Sequence, residues 1–273
     1  MSYTLLISNP PQPMVDAQVT ASVLGLLPVD ANLKARYSVP EIWLAEKDRA
    51  VIDDAASRLR AAGMSVVVLA GEQLVAVPSQ LIVTSFTFEE KRLALRLPTA
   101  NVNVAYDHPI VIVPCTPRPA EGPMPPLRTI AGVQVSDSSS FVDIYVKARH
   151  DWIRLAVYAE LVDYAGLGEQ KTASHARNLL LVCQMLQRRF VNAHYDDRIV
   201  NMQLRRRIGY GTPPQLKDAR KGFSFASPGL DALLSALSPA LQDVGQADFS
   251  SRLSFLTRLA TAGGPAPSAA TPT

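Results

Sequence analysis

The sequence predicts an α+β protein: a small βααβαβ domain, an antiparallel β-rich barrel-like domain with a closing helix, and a helical C-terminal extension. Three observations predict this class. Residues 3–69 alternate short apolar runs with stretches of helical period. Residues 74–113 hold short β-rich segments broken by prolines, which is the spacing of hairpins and meanders. From residue 179 onward, apolar side chains recur again at helical spacing.

The first predicted domain, residues 1–71, begins with the strand TLLIS and the corner NPPQP. A helix follows that ends near Gly25, because apolar residues recur at helical spacing there: Val15, Val19, Val23 and Leu26. A second short helix is predicted for residues 28–37, since proline fits the first turn of a helix. A strand is then predicted for residues 40–45.

The clearest helical pattern of this domain precedes its last strand. Its apolar stripe consists of Val51, Ile52, Ala55, Leu59 and Ala62. Gly63 follows in the C′ position, where a left-handed cap favours glycine. The β-branched run of residues 64–69 is typical of a buried strand.

This order resembles the fold shared by the C-terminal domain of the bacterial ribosomal stalk protein and the adaptor of the Clp protease. The residues that carry the likeness, about a quarter of the chain, are TLLIS, VDAQVTASVLGLLPVDANLKARYS and DRAVIDDAASRLRAAGMSVVVL. The resemblance implies the fold, and fold alone does not imply a role.

In the adaptor family, an acidic loop after the first strand and a histidine bind an N-terminal degron. Here Pro10, Pro11 and Gln12 stand in place of that loop, and no histidine occurs at positions 33–37. No pocket residue is therefore carried over. Asn9 is the one candidate polar contact, and the prolines are predicted to stiffen a strand-to-helix corner.

The second predicted domain covers residues 72–193. Its β-rich segments are residues 74–77, 80–83, 92–97, 102–106, 110–113, 141–146 and 152–157. Residues 114–140 are dense in Pro, Gly and Ser, and they are predicted to form a flexible loop with one brief strand at 130–135. A helix capped by Thr172 or Ser174 closes the domain, with Leu179, Val182, Cys183, Leu186 and Phe190 on one face.

The segments FVDIYVK and WIRLAV, the linker AELVDYAGLG and the Arg177-Asn178 pair resemble bacterial pleckstrin-homology-like domains. This resemblance implies a sheet capped by a helix, which binds lipids, peptides or proteins without catalysis. Residues 194–262 are predicted to form a helical extension, with amphipathic segments at 196–208, 230–241 and 249–259. The tail 263–273, GGPAPSAATPT, lacks core-forming residues and is predicted to be disordered.

Recognisable catalytic motifs are missing from the sequence. The chain holds no phosphate-binding glycine loop and no nucleophile elbow, and its four histidines lack metal-ligand spacing. The Asp196-Asp197 pair is interpreted as a solvated turn or the N-cap of the next helix rather than a metal or acid–base site. Cys183 is interpreted as a buried structural thiol. We therefore expect no catalytic residue, no metal and no cofactor.

Basic residues are concentrated between positions 177 and 221. This stretch holds ten Lys or Arg against three Asp, a local balance of +7, whereas the whole chain carries only +3. It is either a solvated surface or a site for phosphates on nucleic acid, on anionic lipid or on a phosphorylated partner. The candidate anion-binding residues are Arg188, Arg189, Arg205, Arg206, Arg207, Lys217, Arg220 and Lys221.

Three functions remain open at this point. The first is a non-enzymatic adaptor or scaffold that mediates protein–protein interactions, with partners unknown. The second is a binder of nucleic acid or membrane lipid through the basic stretch, and the third is an enzyme without a recognisable motif. A cytoplasmic location is expected, because the sequence shows neither a secretory signal nor the run of roughly 18 apolar residues that spans a membrane.

Overall fold

A computed structural model of the chain describes residues 3–10, 12, 16–36, 39–116, 127–130, 132–136, 139–148, 151–200 and 246–262. This part of the chain is α+β and divides into two compact units. The first unit contains the described residues up to Ala76 and those from Arg252 onward. The second unit contains those of Val77–Val200 and the start of the last helix, up to Ser251.

The first unit confirms the predicted βααβαβ order. Its elements are β1 (Thr4–Ser8), α1 (Ala17–Leu24), α2 (Pro28–Ala35), β2 (Ile42–Glu46), α3 (Arg49–Ala61) and β3 (Val66–Ala70). The strands form an antiparallel sheet in the order β2-β1-β3. The central strand β1 is the most deeply buried, with Leu5, Leu6 and Ile7 at 0% exposure.

Local capping sets the bounds of the helices in this unit. The Asp16 side chain accepts hydrogen bonds from the backbone N–H groups of Gln18 and Val19, which fixes the start of α1. Gly63 adopts φ 81° after α3, which confirms the predicted left-handed cap.

The predicted buried face of α3 needs one correction. Ile52, Ala55 and Leu59 are buried, but Val51 is 51% exposed. At 100° per residue, Val51 lies about a quarter turn away from the centre of the stripe that these three residues form with Ala56.

The second unit contains ten strands among the described residues. They are β4 (Gln80–Ile82), β5 (Ser85–Phe88), β6 (Arg92–Arg96), β7 (Asn101–Ala105), β8 (Ile110–Cys115), β9 (Leu127–Ile130), β10 (Val133–Ser136), β11 (Phe141–Lys147), β12 (Trp152–Tyr158) and β13 (Ala193–Tyr195). Five of them form a mixed sheet in the order β13-β8-β11-β12-β4. Strands β5, β6 and β7 form a separate meander, and β9 pairs with β10.

The predicted barrel-like arrangement is wrong for these strands, which lie in separate sheets and form no closed barrel among the described residues. The physical reason lies in the edges of the five-stranded sheet. Strand β4 pairs in parallel with β12, and β13 pairs in parallel with β8, so short strands from distant parts of the chain occupy both edges. The meander therefore packs as its own layer instead of continuing the sheet.

One face of the five-stranded sheet forms the apolar core of the second unit. Ile112, Ile144 and Leu155 are buried there together with Phe86 of the meander and Leu186 of helix α5 (His175–Arg189). The predicted closing helix is therefore present. Ser174 is its N-cap, because the Ser174 hydroxyl accepts a hydrogen bond from the backbone N–H of Arg177 at 3.3 Å.

Two other predictions in this part of the chain need correction. Residues 74–77 were predicted to be a strand, but the chain forms the short helix α4 (Gly71–Val75). The Gln73 side chain accepts a hydrogen bond from the Ala70 N–H at 2.9 Å, which favours a helical turn over an extended run. Within the predicted loop 114–140, two strands form instead of one, because Gly132 turns between β9 and β10 with φ 80°.

The C-terminal predictions are covered only in part. Helix α6 (Gln246–Thr261) confirms the predicted segment 249–259. The predicted segment 230–241, the tail 263–273 and most of the segment 196–208 lie outside the described residues. In the part of the chain that the structure describes, no helix has both the length and the apolar character needed to cross a membrane.

Candidate functional site

The second face of the five-stranded sheet holds buried charged and polar side chains beside apolar ones such as Val113 and Phe141. Side chains alternate along a strand, so the residues next to the core-facing Ile144 and Leu155 point to the opposite face. On β11 these residues are Asp143 and Tyr145, and on β12 they include Arg154, all at 0% exposure. A charged pair on a fully buried sheet face is rare unless a covering element satisfies it.

The first turn of helix α6, which belongs to the second unit, supplies that covering element. Asp248 and Ser251 lie three positions apart, so they share one face of the helix. Arg154 Nη2 donates to Asp143 Oδ2 at 2.5 Å and also pairs with Asp248. The Ser251 hydroxyl donates to Asp143 Oδ2 at 2.6 Å and lies 3.0 Å from the Tyr145 hydroxyl.

Strand β4 extends this network at the sheet edge. Gln80 Nε2 donates to Asp143 Oδ1 at 3.0 Å, and the Tyr158 hydroxyl donates to Gln80 Oε1 at 2.9 Å. Both oxygens of Asp143 therefore accept hydrogen bonds. We call the whole set the Arg154 cluster; it consists of Gln80, Asp143, Tyr145, Arg154, Tyr158, Asp248 and Ser251.

Burial and charge set the protonation states in this cluster. Burial lowers the pKa of Arg154, but the carboxylate of Asp143 and other neighbours outweigh it and hold that pKa well above its usual value. Burial raises the pKa of Tyr145 and of the adjacent Cys115 well above their usual values. At neutral pH the guanidinium is therefore charged, and the phenol and thiol are protonated. These groups can bind and position a ligand, but neither the phenol nor the thiol is activated as a nucleophile.

Sequence reasoning missed this cluster, although a signal was present. Two adjacent strands predicted to pair as a hairpin each carry one charged residue of opposite sign inside an apolar run, Asp143 in FVDIYV and Arg154 in WIRLAVY. In the observed register Tyr145 lies opposite Arg154, and Asp143 lies opposite Ala156. The two charges are therefore diagonal neighbours on one face.

The predicted anion-binding residues are described only in part. Arg188 and Arg189 are exposed in the last turn of α5. Arg189 donates to the backbone oxygen of Glu89 at 3.0 Å and lies over the ring of Tyr106 at 5.6 Å, so it is held against the meander. The other six predicted residues, Arg205, Arg206, Arg207, Lys217, Arg220 and Lys221, lie outside the described residues.

The remaining candidates have local structural roles. Asp196 is buried rather than solvated, and its carboxylate accepts hydrogen bonds from the Arg198 backbone N–H at 3.2 Å and from Arg198 Nε at 2.8 Å. It therefore acts at the start of the turn that contains Arg198, which agrees with the N-cap interpretation. Cys183 lies in the apolar core, where burial raises its pKa to about 12.

The corner after β1 is fastened to the residue that precedes β3. Gln12 donates from Nε2 to the Ser65 backbone oxygen at 3.0 Å and accepts from the Ser65 N–H at 2.7 Å. Asn9 Nδ2 donates to the Ser65 hydroxyl at 3.3 Å. The polar side chains of Asn9 and Gln12 are therefore used in contacts with Ser65.

Helix α2 presents a surface that sequence reasoning did not predict. Leu27, Val29 and Leu33 are 66%, 61% and 58% exposed, whereas Ala31 and Ala35 are buried. The helical period explains this arrangement, because Val29 and Leu33 lie on one face and the two alanines lie on the opposite one. We call Leu27, Val29 and Leu33 the α2 ridge. The helix therefore buries its small side chains and exposes its large apolar ones.

Comparison of the chain with protein-family models, with curated proteins and with solved structures finds no match. Function must be inferred from the chain's own geometry. The Arg154 cluster and the α2 ridge are the two features that call for a functional explanation, because each departs from the usual distribution of polar and apolar side chains.

Proposed function

We propose that the protein is a non-enzymatic adaptor or scaffold in the cytoplasm, and that its first unit binds a protein partner through the α2 ridge. The exposure of Leu27, Val29 and Leu33 carries this proposal. Removing apolar surface from water contributes roughly 25 cal/mol per Å², so a partner that covers these side chains gains affinity from each of them. Several large apolar side chains exposed within seven residues are typical of an interaction surface.

Two other observations support a binding role. The order of elements in the first unit is the one predicted from its apolar periodicity, and that order resembles the stalk-protein and Clp-adaptor fold, although the fold alone assigns no partner. In the second unit, a helix covers one face of a sheet, as expected from the resemblance to pleckstrin-homology-like domains. Partners of both units are proposed to be proteins.

The test is a variant in which the ridge becomes charged. We expect the double substitution Val29→Asp and Leu33→Asp to abolish capture of partners from a lysate of the native host, measured by quantitative mass spectrometry. The midpoint of thermal unfolding should stay nearly unchanged, because substitutions at exposed positions usually change stability by less than about 0.5 kcal/mol.

Leu180→Asp provides the matched control. Leu180 is 51% exposed on α5 in the second unit, so this variant makes a similar chemical change at similar exposure. It should retain the partners of the parent chain. Recovery of the same partners by the ridge variant and by the control would refute the proposed role of α2.

Anionic-ligand binding remains the second candidate, and the exposure of Arg188 at the end of α5 favours it. We expect the triple substitution of Arg205, Arg206 and Arg207 by Ala to weaken binding to DNA, RNA or anionic vesicles and to flatten its salt dependence, since each lost phosphate contact lowers the slope of log K against log salt by about 0.9 on duplex DNA. Titrations in increasing NaCl measure both quantities. Unchanged affinity for all three ligands at every salt concentration would eliminate this function.

A further inference from the structure

The five-stranded sheet holds an arginine ready for a ligand without help from helix α6. Asp143 and Arg154 belong to adjacent strands of the sheet and pair with each other at 2.5 Å. Gln80 of β4 holds the other oxygen of Asp143. The sheet therefore supplies a neutral ion pair whose arginine is fixed in position before any further group binds.

The first described turn of α6 attaches to this face through polar groups. Among residues 248–251, Asp248 and Ser251 are buried, whereas Phe249 and Ser250 are only half-buried. Polar contacts exchange one hydrogen-bond partner for another, so their net contribution to docking is modest compared with apolar burial of the same area. Another molecule with matching groups could therefore compete with this turn.

Arg154 has donors that the described contacts do not use. Its Nη2 atom serves both Asp143 and Asp248, whereas Nε and Nη1 are buried without a hydrogen-bond partner among the described residues. A guanidinium offers five N–H donors in a fork that matches a carboxylate bidentately. The side chain could thus bind a carboxylate more completely than it binds Asp248.

We propose that the Arg154 cluster on the five-stranded sheet is a carboxylate-binding site, that Asp248 fills it in this structure, and that a carboxylate of another molecule replaces Asp248 when this turn leaves. Arg154 is the recognition residue. The adjacent Asp143 carboxylate repels ligands of higher negative charge, so a singly charged carboxylate fits better than a phosphate dianion. The ligand is either an acidic side chain of a protein or a small carboxylic acid.

The test removes the carboxylate of Asp248 from the full chain and supplies one from outside. Trp43→Phe leaves Trp152, which lies in the second unit, as the single fluorescent tryptophan of the chain. In that background, Asp248→Ala should lower the midpoint of thermal unfolding, and sodium acetate should restore it in a saturable manner. Sodium chloride at equal ionic strength should not restore it.

Two further arms identify the source of the carboxylate. An amidated peptide with the sequence of residues 245–255 represents an acidic protein segment, and acetate represents a small acid. If only the peptide restores the unfolding midpoint, the site is assigned to protein ligands. If acetate restores the midpoint at least as far as the peptide does, the site is assigned to small acids. Equal rescue by chloride, or no rescue by either carboxylate, overturns the proposal.

Matched variants keep this result interpretable. Ser251→Ala retains the carboxylate of Asp248, so acetate should not restore its stability beyond the effect of chloride. Where Asp248→Ala does not fold, the isosteric Asp248→Asn takes its place in the same titrations. Because these measurements do not involve the α2 ridge, their outcome is independent of the proposed adaptor function.

Discussion

Substitution of Arg154 by methionine is expected to destabilise the second unit by about 3–5 kcal/mol, since it removes the cation from a buried ion-pair cluster. Asp143 and Asp248 would stay at 0% and 4% exposure without their guanidinium partner. Methionine fills a similar volume, so the loss reflects unpaired charge more than a cavity. Urea unfolding followed by Trp152 fluorescence in the Trp43→Phe background measures it.

Arg92→Met is the matched control in the same unit. Arg92 pairs with Glu89 at the surface, where the two side chains are 51% and 40% exposed, so its replacement should cost less than about 1 kcal/mol. Simultaneous replacement of Asp143 and Asp248 by leucine in the Arg154→Met chain should restore much of the lost stability, because no charge then remains in the Arg154 cluster. Similar free energies of unfolding for Arg154→Met and Arg92→Met would show that the Arg154 cluster does not stabilise the second unit.

The second large effect is expected in the first unit. Leu59→Asp places an unpaired charge at a position that is 0% exposed in the core between α3 and the sheet, and it should unfold this unit with a loss of more than about 4 kcal/mol. A fragment from Val77 onward should still fold, because it contains all residues of the second unit. Trp43 fluorescence in a Trp152→Phe background reports the unfolding.

Val51→Asp makes the same chemical change on the same helix. Val51 is 51% exposed, so its variant should unfold almost like the parent chain. A normal transition of the first unit in the Leu59→Asp variant would show that the face assigned to α3 is wrong. Cooperative loss of the second unit in that variant would contradict its independence from the first.

The fold of the first unit was predictable because its local signals agree with its tertiary packing. Ile52, Ala55 and Leu59 recur at helical spacing, Gly63 marks the end of the helix, and β-branched residues follow at once. Strand β1 has the predicted bounds, whereas the bounds of β2 and β3 differ from the prediction by one or two residues, as is usual at the ends of such elements.

The second unit was harder to predict because its topology depends on distant pairings. The three-residue strands β4 and β13 carry no long alternating pattern, and they pair in parallel with strands many positions away. Residues 74–77, a short apolar run, fit a strand as well as a helix by periodicity alone. The helix was decided by the hydrogen bond from the Ala70 N–H to Gln73, which composition does not reveal.

The Arg154 cluster was hard to predict for the same reason, because it also depends on contacts between distant parts of the chain. Opposite charges on neighbouring strands indicate the pairing of Asp143 with Arg154. Asp143 and Ser251, however, are 108 positions apart in the chain. Their contact depends on where α6 lies in the fold, and no spacing rule connects the two. The α2 ridge was detectable in principle from the opposite placement of its alanines and its large side chains, although only the fold shows which face is buried.

The position of α6 also has a consequence for synthesis of the protein. The ribosome synthesises β11 and β12 long before residues 248–251. A nascent sheet would therefore contain Asp143 and Arg154 before the turn that covers them has been synthesised. Strand β13 completes the other edge only when Tyr195 has emerged. Contacts over such sequence separations slow folding. The second unit can therefore reach its final form only after residues 248–251 have left the ribosome, well after its central strands have been synthesised.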